Sequence, residues 1–220
     1  LTVPEGFLYN VAWAEEIDPT ILARHVEDGS VVIMRRGDRC VGIGRGLRIK
    51  VNVNIGTSNV RSVPHEEVKK AVVAEHCGAD TISDLSMGRD VEETRRLVFS
   101  HTSVPITTVP VYQAAAEHGI EGMDAGDIVD TVRRQAREGV SSMVVHCITS
   151  DILETCRREG RVLGIVSKGG SITAAFMLHH GCQNPFIEHF QEILGIMRSC
   201  GIVLSLGNSV RSGCIGDGWD

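Results

Sequence analysis

Residues 47–58 read LRIKVNVNIGTS, a β-branched run that ends in glycine and small polar residues. Similar short runs recur along the chain, and longer stretches with helical periodicity separate them. This alternation is typical of parallel strands joined by crossover helices. We predict strands at 47–53, 80–85, 104–109, 141–147, 162–167 and 202–206. We predict helices at about 66–77, 90–101, 125–138, 150–159, 171–180 and 185–199.

Two parallel architectures fit this alternation, an open doubly wound sheet and a closed barrel of roughly 250 residues. The glycine-rich GIGRG at 42–46 precedes the first strand, so we interpret it as a turn into that strand and not as a dinucleotide-binding fingerprint. We predict an α/β fold, a parallel (β/α)8 TIM-like barrel at 47–220, of which this chain carries about six strands. Six strands do not close the barrel, so we expect it to be incomplete at the C-terminus. A small flanking segment at 1–46 should hold a helix at 17–26 and a strand at 30–36.

Composition excludes several classes of function. The 28 acidic and 22 basic residues give a net charge of −6, and the basic residues are scattered, which argues against nucleic-acid binding. No apolar run approaches the roughly 20 residues of a membrane helix, and LTVPEGFLYN at 1–10 lacks signal-peptide features. The seven cysteines form no C-x-x-C pair and lie in apolar segments. This pattern indicates reduced thiols of a cytosolic protein. We expect a cytoplasmic protein without membrane contact, and further residues before Leu1.

Polar residues follow the predicted strands, and in β/α barrels the reacting groups lie at these carboxyl ends. Asn52 and Asn54 share one face of the first strand, which predicts either a ligand contact or an internally satisfied polar layer. Tyr112 follows the third strand and His146 ends the fourth, and we predict that both face the barrel mouth. A packed aromatic ring and a buried core histidine are the respective alternatives.

The Ser-Lys-Gly-Gly-Ser turn at 167–171 leads from the fifth predicted strand into a helix. Its backbone N–H groups and glycines would let a phosphate approach closely, and Lys168 adds a positive charge. The turn therefore suggests a small phosphorylated ligand. A tight strand-to-helix turn with a capping serine explains the same residues without a ligand.

Several ordered blocks resemble the phosphomethylpyrimidine synthase family of the thiamin pathway. These blocks extend over about residues 40–215, too many in the same order for coincidence. They are KVNVNIGTS (50–58), GADTISDLSMG (78–88), VPITTVPVYQ (104–113), GIVSKGGS (164–171), LHHGCQNPF (178–186) and SLGNSVRSGCI (205–215). The known fold of this family is a β/α barrel, which agrees with the pattern of strands and helices.

The resemblance implies a radical S-adenosylmethionine (SAM) enzyme, a carbon–carbon lyase that acts on 5-aminoimidazole ribotide with a 4Fe-4S cluster. It also implies a homodimer and a second, divalent metal such as zinc. The positions that match the family's substrate contacts are Asn54, Ser83, Tyr112, His146, Ser167, Lys168, Gly169, Asn208, Ser209, Val210 and Arg211. It assigns no catalytic residue in this chain.

Some of these positions depart from the thiamin-pathway pattern. Ser83 stands where a methionine is usual, Lys168 replaces an arginine, and Asn-Ser-Val-Arg-Ser at 208–212 replaces Asp-Gly-Leu-Arg-Pro. These changes exchange apolar contact for a hydroxyl and a carboxylate for an amide. They look closer to the 5-hydroxybenzimidazole synthase branch, which makes the lower-ligand precursor of cobalamin in anaerobes. We therefore predict a benzimidazole product, with phosphomethylpyrimidine as the alternative.

The family's metal-binding histidines and its C-x-x-C-x-x-x-x-C motif are not found in this sequence. We expect these ligands beyond residue 220, and no metal site within the chain. A non-catalytic ribotide-binding module is the alternative from another class. A cluster-free aldolase with Lys168 as a Schiff base is disfavoured, since a Gly-Gly turn suits phosphate better than it suits a lysine of depressed pKa.

Overall fold

The computed structural model describes residues 4–217. Helices and strands alternate along most of this range. The helices are α1 (Glu5–Ala14), α2 (Pro19–Glu27), α3 (Pro64–His76), α4 (Val91–His101), α5 (Pro110–Gly122), α6 (Ala125–Arg137), α7 (Ser150–Arg158), α8 (Lys168–His180), α9 (Pro185–Glu188) and α10 (Phe190–Cys200). The strands are β1 (Val31–Arg36), β2 (Arg39–Gly44), β3 (Asn52–Ile55), β4 (Thr81–Asp84), β5 (Ile106–Thr108), β6 (Ser142–Val145) and β7 (Val203–Leu206).

The central feature is a parallel sheet of five strands in the order β3-β4-β5-β6-β7. Sequential strands are neighbours throughout, as in the wall of a barrel. The predicted α/β class and the parallel arrangement are confirmed. Within the described residues β3 and β7 are edge strands, so the sheet is open and corresponds to part of a TIM barrel. The first strand of this sheet starts at Asn52 and not at residue 47. The Asp80 carboxylate accepts the Val51 N–H at 2.8 Å, so this N–H is not available for strand pairing.

The predicted strand at 162–167 is wrong. This segment is irregular, and β6 pairs directly with β7, so no place remains for a strand between them. Gly160 and Gly164 both have φ of +64°, which interrupts an extended conformation on either side of Val162 and Leu163. The β-branched composition alone could not reveal this, because the pairing partner decides whether an apolar run becomes a strand.

Helix α5 is absent from the sequence-based prediction, which has no helix between residues 101 and 125. Pro110 occupies the first helical position, where its missing N–H has no cost, and the helix follows β5 almost without a connection. Gly119 breaks the helical geometry with φ 70° and ψ 165°. The side chains of the first turn therefore lie on a helix that starts at the carboxyl end of the sheet.

Helices cover the outer face of the sheet. Alternate strand residues such as Ile55, Ile82 and Ile106 pack with Val68 and Val98 of helices α3 and α4. A larger cluster joins β6 to helices α5, α6, α8, α9 and α10 and includes Met143, Val145, Ile128, Val132, Phe176, Phe186 and Met197. Burial of these apolar side chains is the main stabilising contribution to such a layered fold.

A separate antiparallel hairpin, β1–β2, precedes the sheet. It packs with α1 and α2 through Val11, Leu22, Val31 and Ile33. The predicted helix and strand of this segment are found, with α2 and β1 shifted by a residue or two. The turn predicted at 42–46 is wrong in part, since residues 42–44 pair with β1 as the end of β2. The division of the chain at residue 46 stays a prediction.

Candidate functional site

Polar side chains form a row across the inner face of the sheet. The strand register places Asn54 opposite Ser83, Ser83 opposite Thr107, and Thr107 opposite Ser142. The Thr107 and Ser142 hydroxyls lie 2.6 Å apart. Because side chains alternate along a strand, this row points away from the isoleucines that pack under the helices. The inner face is therefore a hydrogen-bonding surface next to the carboxyl ends of the strands.

Asn52 organises the first part of this row. Its Oδ1 accepts hydrogen bonds from the Thr81 and Ser83 hydroxyls, each at 3.0 Å. Its Nδ2 donates to Asn54 Oδ1 at 3.0 Å. The side-chain oxygen Oδ1 of Asn54 thus has a partner within the protein. This leaves the side-chain nitrogen Nδ2 of Asn54 as the group suited to donate to a ligand.

His146 lies at the end of β6 between two glycines. A Cβ on Gly169 would lie 2.1 Å from His146 Cε1, and a Cβ on Gly207 would lie 2.8 Å from His146 Nε2. His146 is 5% exposed, and among the described residues its Nδ1 has no hydrogen-bond partner. Burial, with a smaller contribution from the charge of Arg211, lowers the pKa of His146 from 6.5 to about 4. The imidazole is therefore neutral near pH 7.

This lowered pKa predicts a pH-dependent stability. The unfolded chain binds a proton at His146 below pH 6.5 whereas the folded protein does so only below about 4, so stability falls as the pH decreases between these values. Between pH 7 and pH 5 we expect the free energy of unfolding of the wild type to fall by roughly 2 kcal/mol more than that of His146→Gln. Denaturant unfolding at the two pH values measures this difference. NMR titration of the ring provides the direct measurement. An imidazole that titrates near 6.5 would contradict the prediction.

Tyr112 lies in the first turn of α5 and its side chain is buried. Burial raises the pKa of Tyr112, although the Gly169 N–H, which donates to the phenolic oxygen, and the charge of Arg211 act to lower it. Lys168 Nζ lies 5.2 Å from the centre of the Tyr112 ring, a cation–π contact. Tyr112 therefore connects helix α5 with the start of helix α8.

The start of α8 contacts the segment after β7. Ser167 caps the helix by accepting the Gly170 N–H at 3.1 Å. A Cβ on Gly170 would lie 1.9 Å from the Ser209 carbonyl oxygen, so the backbone of that segment rests directly on the first helical turn. Arg211 Nη1 donates to the Asn208 carbonyl oxygen at 3.4 Å. Lys168 and Arg211, both exposed, thus place two positive charges beside the helix N-terminus.

The structure brings the candidate residues together in two sets. Asn54 and Ser83 belong to the polar row on β3 and β4, and the other set consists of His146 and the eight candidates around it and the start of α8. Val210 differs from the others, because its side chain packs with Ile148, Leu153, Ala174 and Met177 and leaves only its backbone for a ligand. Whether these residues bind a ligand stays a prediction.

Sequence reasoning missed Thr107, Ser142 and Gly207, and it included Gly170 only as part of the Ser-Lys-Gly-Gly-Ser turn. Thr107 and Ser142 extend the polar row between the two sets, and the glycines admit the His146 ring and the Ser209 backbone. A polar residue at every second position of otherwise apolar strands was the available signal for the hydroxyls. Neither a group of three or more histidine, cysteine, aspartate or glutamate side chains able to hold a metal ion, nor a helix able to span a membrane, occurs between residues 4 and 217.

Comparison with known proteins identifies the family. The model of the radical SAM ThiC family matches residues 4–220. Phosphomethylpyrimidine synthase of Methanopyrus kandleri is 44% identical over 230 residues, which cover 100% of this chain and 53% of that protein. The enzyme of that name from Dehalococcoides mccartyi is 42% identical over 96% of this chain and 51% of its own length. The 5-hydroxybenzimidazole synthase BzaB of Moorella thermoacetica is 41% identical over 96% of this chain and 52% of its own length.

The match to the family model covers almost the whole sequence, and the chain spans about half the length of the curated relatives it matches. The resemblance found from the sequence blocks is therefore confirmed. The chain belongs to the radical SAM ThiC family.

Proposed function

We propose that this chain binds 5-aminoimidazole ribotide in an enzyme that rearranges it to 5-hydroxybenzimidazole. The observation that carries the proposal is the pairing of two different surfaces at one end of the sheet. One surface is the positively charged start of α8 with Lys168 and Arg211. The other is the row of amides and hydroxyls that begins at Asn54 and Ser83.

The two surfaces suit the two ends of a ribotide. The phosphate binds beside the α8 N-terminus, where the exposed side chains of Lys168 and Arg211 supply positive charge. The aminoimidazole ring lies toward the polar row, where Asn54 donates a hydrogen bond. His146 is neutral at pH 7 and therefore orients the ligand by hydrogen bonding and not by charge.

Membership of the family implies SAM and a 4Fe-4S cluster as cofactors. The residues of this chain that the structure describes do not fit a cluster, because their cysteines are not gathered into a group with other ligands. We accordingly propose that these residues serve in substrate binding. A carbon–carbon lyase reaction, a homodimer and a cytoplasmic location are parts of the same proposal, and each is supported by the family resemblance.

The choice of product depends on three positions that face the site. Ser83 is buried and bonded to Asn52, so a hydroxyl occupies the place of the methionine in the thiamin-pathway pattern. Lys168 and Asn208 change the charge and donor pattern near the phosphate. These changes support the benzimidazole product. Phosphomethylpyrimidine is the second candidate, supported by the names of the relatives at 44% and 42% identity.

The test is turnover of the reconstituted, cluster-loaded enzyme with ribotide and SAM under anaerobic conditions, followed by mass spectrometry of the products. We expect 5-hydroxybenzimidazole. Ser83→Met provides a matched variant, since it restores the thiamin-pathway side chain at one position, and we expect it to lower the yield of benzimidazole. Phosphomethylpyrimidine as the wild-type product would support the second candidate, and ribotide binding without turnover would support a non-catalytic binding module.

A further inference from the structure

The segment 161–167 is held in place without help from the sheet. It runs as irregular backbone between α7 and α8, and its apolar side chains Val162 and Leu163 are 71% and 54% exposed. Neither strand pairing nor apolar burial of these side chains fixes it. Nevertheless, it leads directly into Ser167 and Lys168, so its position sets where the first turn of α8 presents its charges.

The Asp217 carboxylate joins this segment to the one after β7. Its Oδ1 accepts the Leu163 N–H at 3.2 Å and its Oδ2 accepts the Gly213 N–H at 2.8 Å. The N–H groups of Val162 and Cys214 also donate to it. Desolvation acts to raise the pKa of Asp217, but these backbone donors outweigh it and keep the pKa below its usual range. A charged carboxylate therefore satisfies backbone donors on both segments at once.

Other contacts show that the two segments meet along their length. A Cβ on Gly213 would lie 2.5 Å from Val166 Cγ1, so the two segments are in contact at that glycine. Arg161 donates from Nη1 to the Val210 carbonyl oxygen, which is a side-chain bond in the opposite direction. The Asp217 and Arg161 side chains thus cross-link the two segments in both directions.

We infer that Asp217 is a positioning residue that fixes the separation of Lys168 and Arg211. Lys168 follows one of the two segments that Asp217 joins, and Arg211 lies on the other. This inference rests on the proposed function, in which both cations contact the ligand phosphate. Two cations held at a fixed separation bind a phosphate more tightly than the same cations on unlinked segments, because less ordering is required on binding.

Hydrogen exchange of Asp217→Asn tests the link between the two segments, with no ligand present. The asparagine side chain has one acceptor oxygen fewer and no negative charge, so we expect the backbone N–H groups of Leu163 and Gly213 to exchange about tenfold faster. The Gly207 N–H, which bonds to the Val145 carbonyl at 2.8 Å, serves as an internal reference and should not change. Asp38→Asn, in the exposed turn between β1 and β2, is the matched control for the loss of charge.

Ribotide binding tests the positioning role. We expect Asp217→Asn to weaken ribotide binding about tenfold in the intact protein, and Asp38→Asn to leave it unchanged. In a Lys168→Ala background, Asp217→Asn should weaken ribotide binding by less than about twofold, because a positioning residue acts through the group that it positions. Equal losses in both backgrounds, or unchanged exchange at Leu163 and Gly213, would overturn the inference. Faster exchange together with no ribotide binding by wild type would instead overturn the proposed function.

Discussion

Gly170→Ala is expected to destabilise the protein by about 3 kcal/mol, at the upper end of the range for overpacking. The added Cβ would lie 1.9 Å from the Ser209 carbonyl oxygen and 2.8 Å from its carbonyl carbon. Both are backbone atoms, so no side-chain rotation relieves the clash, and the segment after β7 has to move away from α8. The free energy of unfolding from chemical denaturation measures the effect.

Gly195→Ala is the matched control for this substitution. Gly195 lies within helix α10, is exposed, and has nothing within 4 Å of the position that a Cβ would occupy. Alanine is the better helix former, so we expect this variant to be more stable by about 0.5–1 kcal/mol. If Gly170→Ala matched Gly195→Ala in stability, the close approach of the Ser209 backbone to α8 would be refuted.

Glu138→Gln is expected to cost about 2 kcal/mol of stability, because it removes the carboxylate from the buried Arg95 guanidinium. The Glu138 side chain is itself 35% exposed and is partly screened by solvent. Arg95 is 1% exposed. Its Nη2 donates to Glu138 Oε1 at 3.1 Å and to Gln113 Oε1 at 3.0 Å, and its Nε also contacts Glu138. Equilibrium unfolding in denaturant at pH 7 measures the loss.

The control is an ion pair of the same chemistry at the surface. Arg157 and Glu154 are one turn apart on α7, 3.4 Å from each other, with side chains 63% and 68% exposed. Solvent screens this pair, so Glu154→Gln should change stability by less than about 0.5 kcal/mol. A loss at Glu138 no larger than the loss at Glu154 would show that the Arg95 charge is satisfied in some other way.

The sequence was sufficient to predict the parts of the fold that depend on local patterns. β-branched runs located four strands of the parallel sheet to within a few residues, and the first strand was placed too early because Asp80 captures the Val51 N–H. The run at 162–167 has the same composition but no strand beside it, and composition does not report a missing neighbour. Helix α5 was missed, although Pro110 at the first helical position is a signal for a helix start.

For the candidate site, the pairing of Asn54 with Ser83 follows from period-two alternation and a parallel register, both of which a sequence can suggest. The contacts of Gly169 and Gly207 with the His146 ring are different in kind. They depend on how closely α8 and the segment after β7 approach β6, and this distance is set by packing over the whole domain. The orientation of the Asn52 amide likewise required the positions of two hydroxyls on the neighbouring strand.

The two faces of the sheet carry different kinds of side chain, and the proposed function assigns ligand recognition to only one of them. The buried network of Arg95, Gln113, Gln135 and Thr108 lies on the helix side of the sheet. Asn54, Ser83 and Thr107 lie on the inner side, on strands β3, β4 and β5. A mutation in the inner row alters donors and acceptors but leaves the helix-side packing untouched. Under the proposed function, selection for a new substrate or product acts on this row without disturbing the helix-side network, provided that the buried hydroxyls of Ser83, Thr107 and Ser142 keep hydrogen-bond partners.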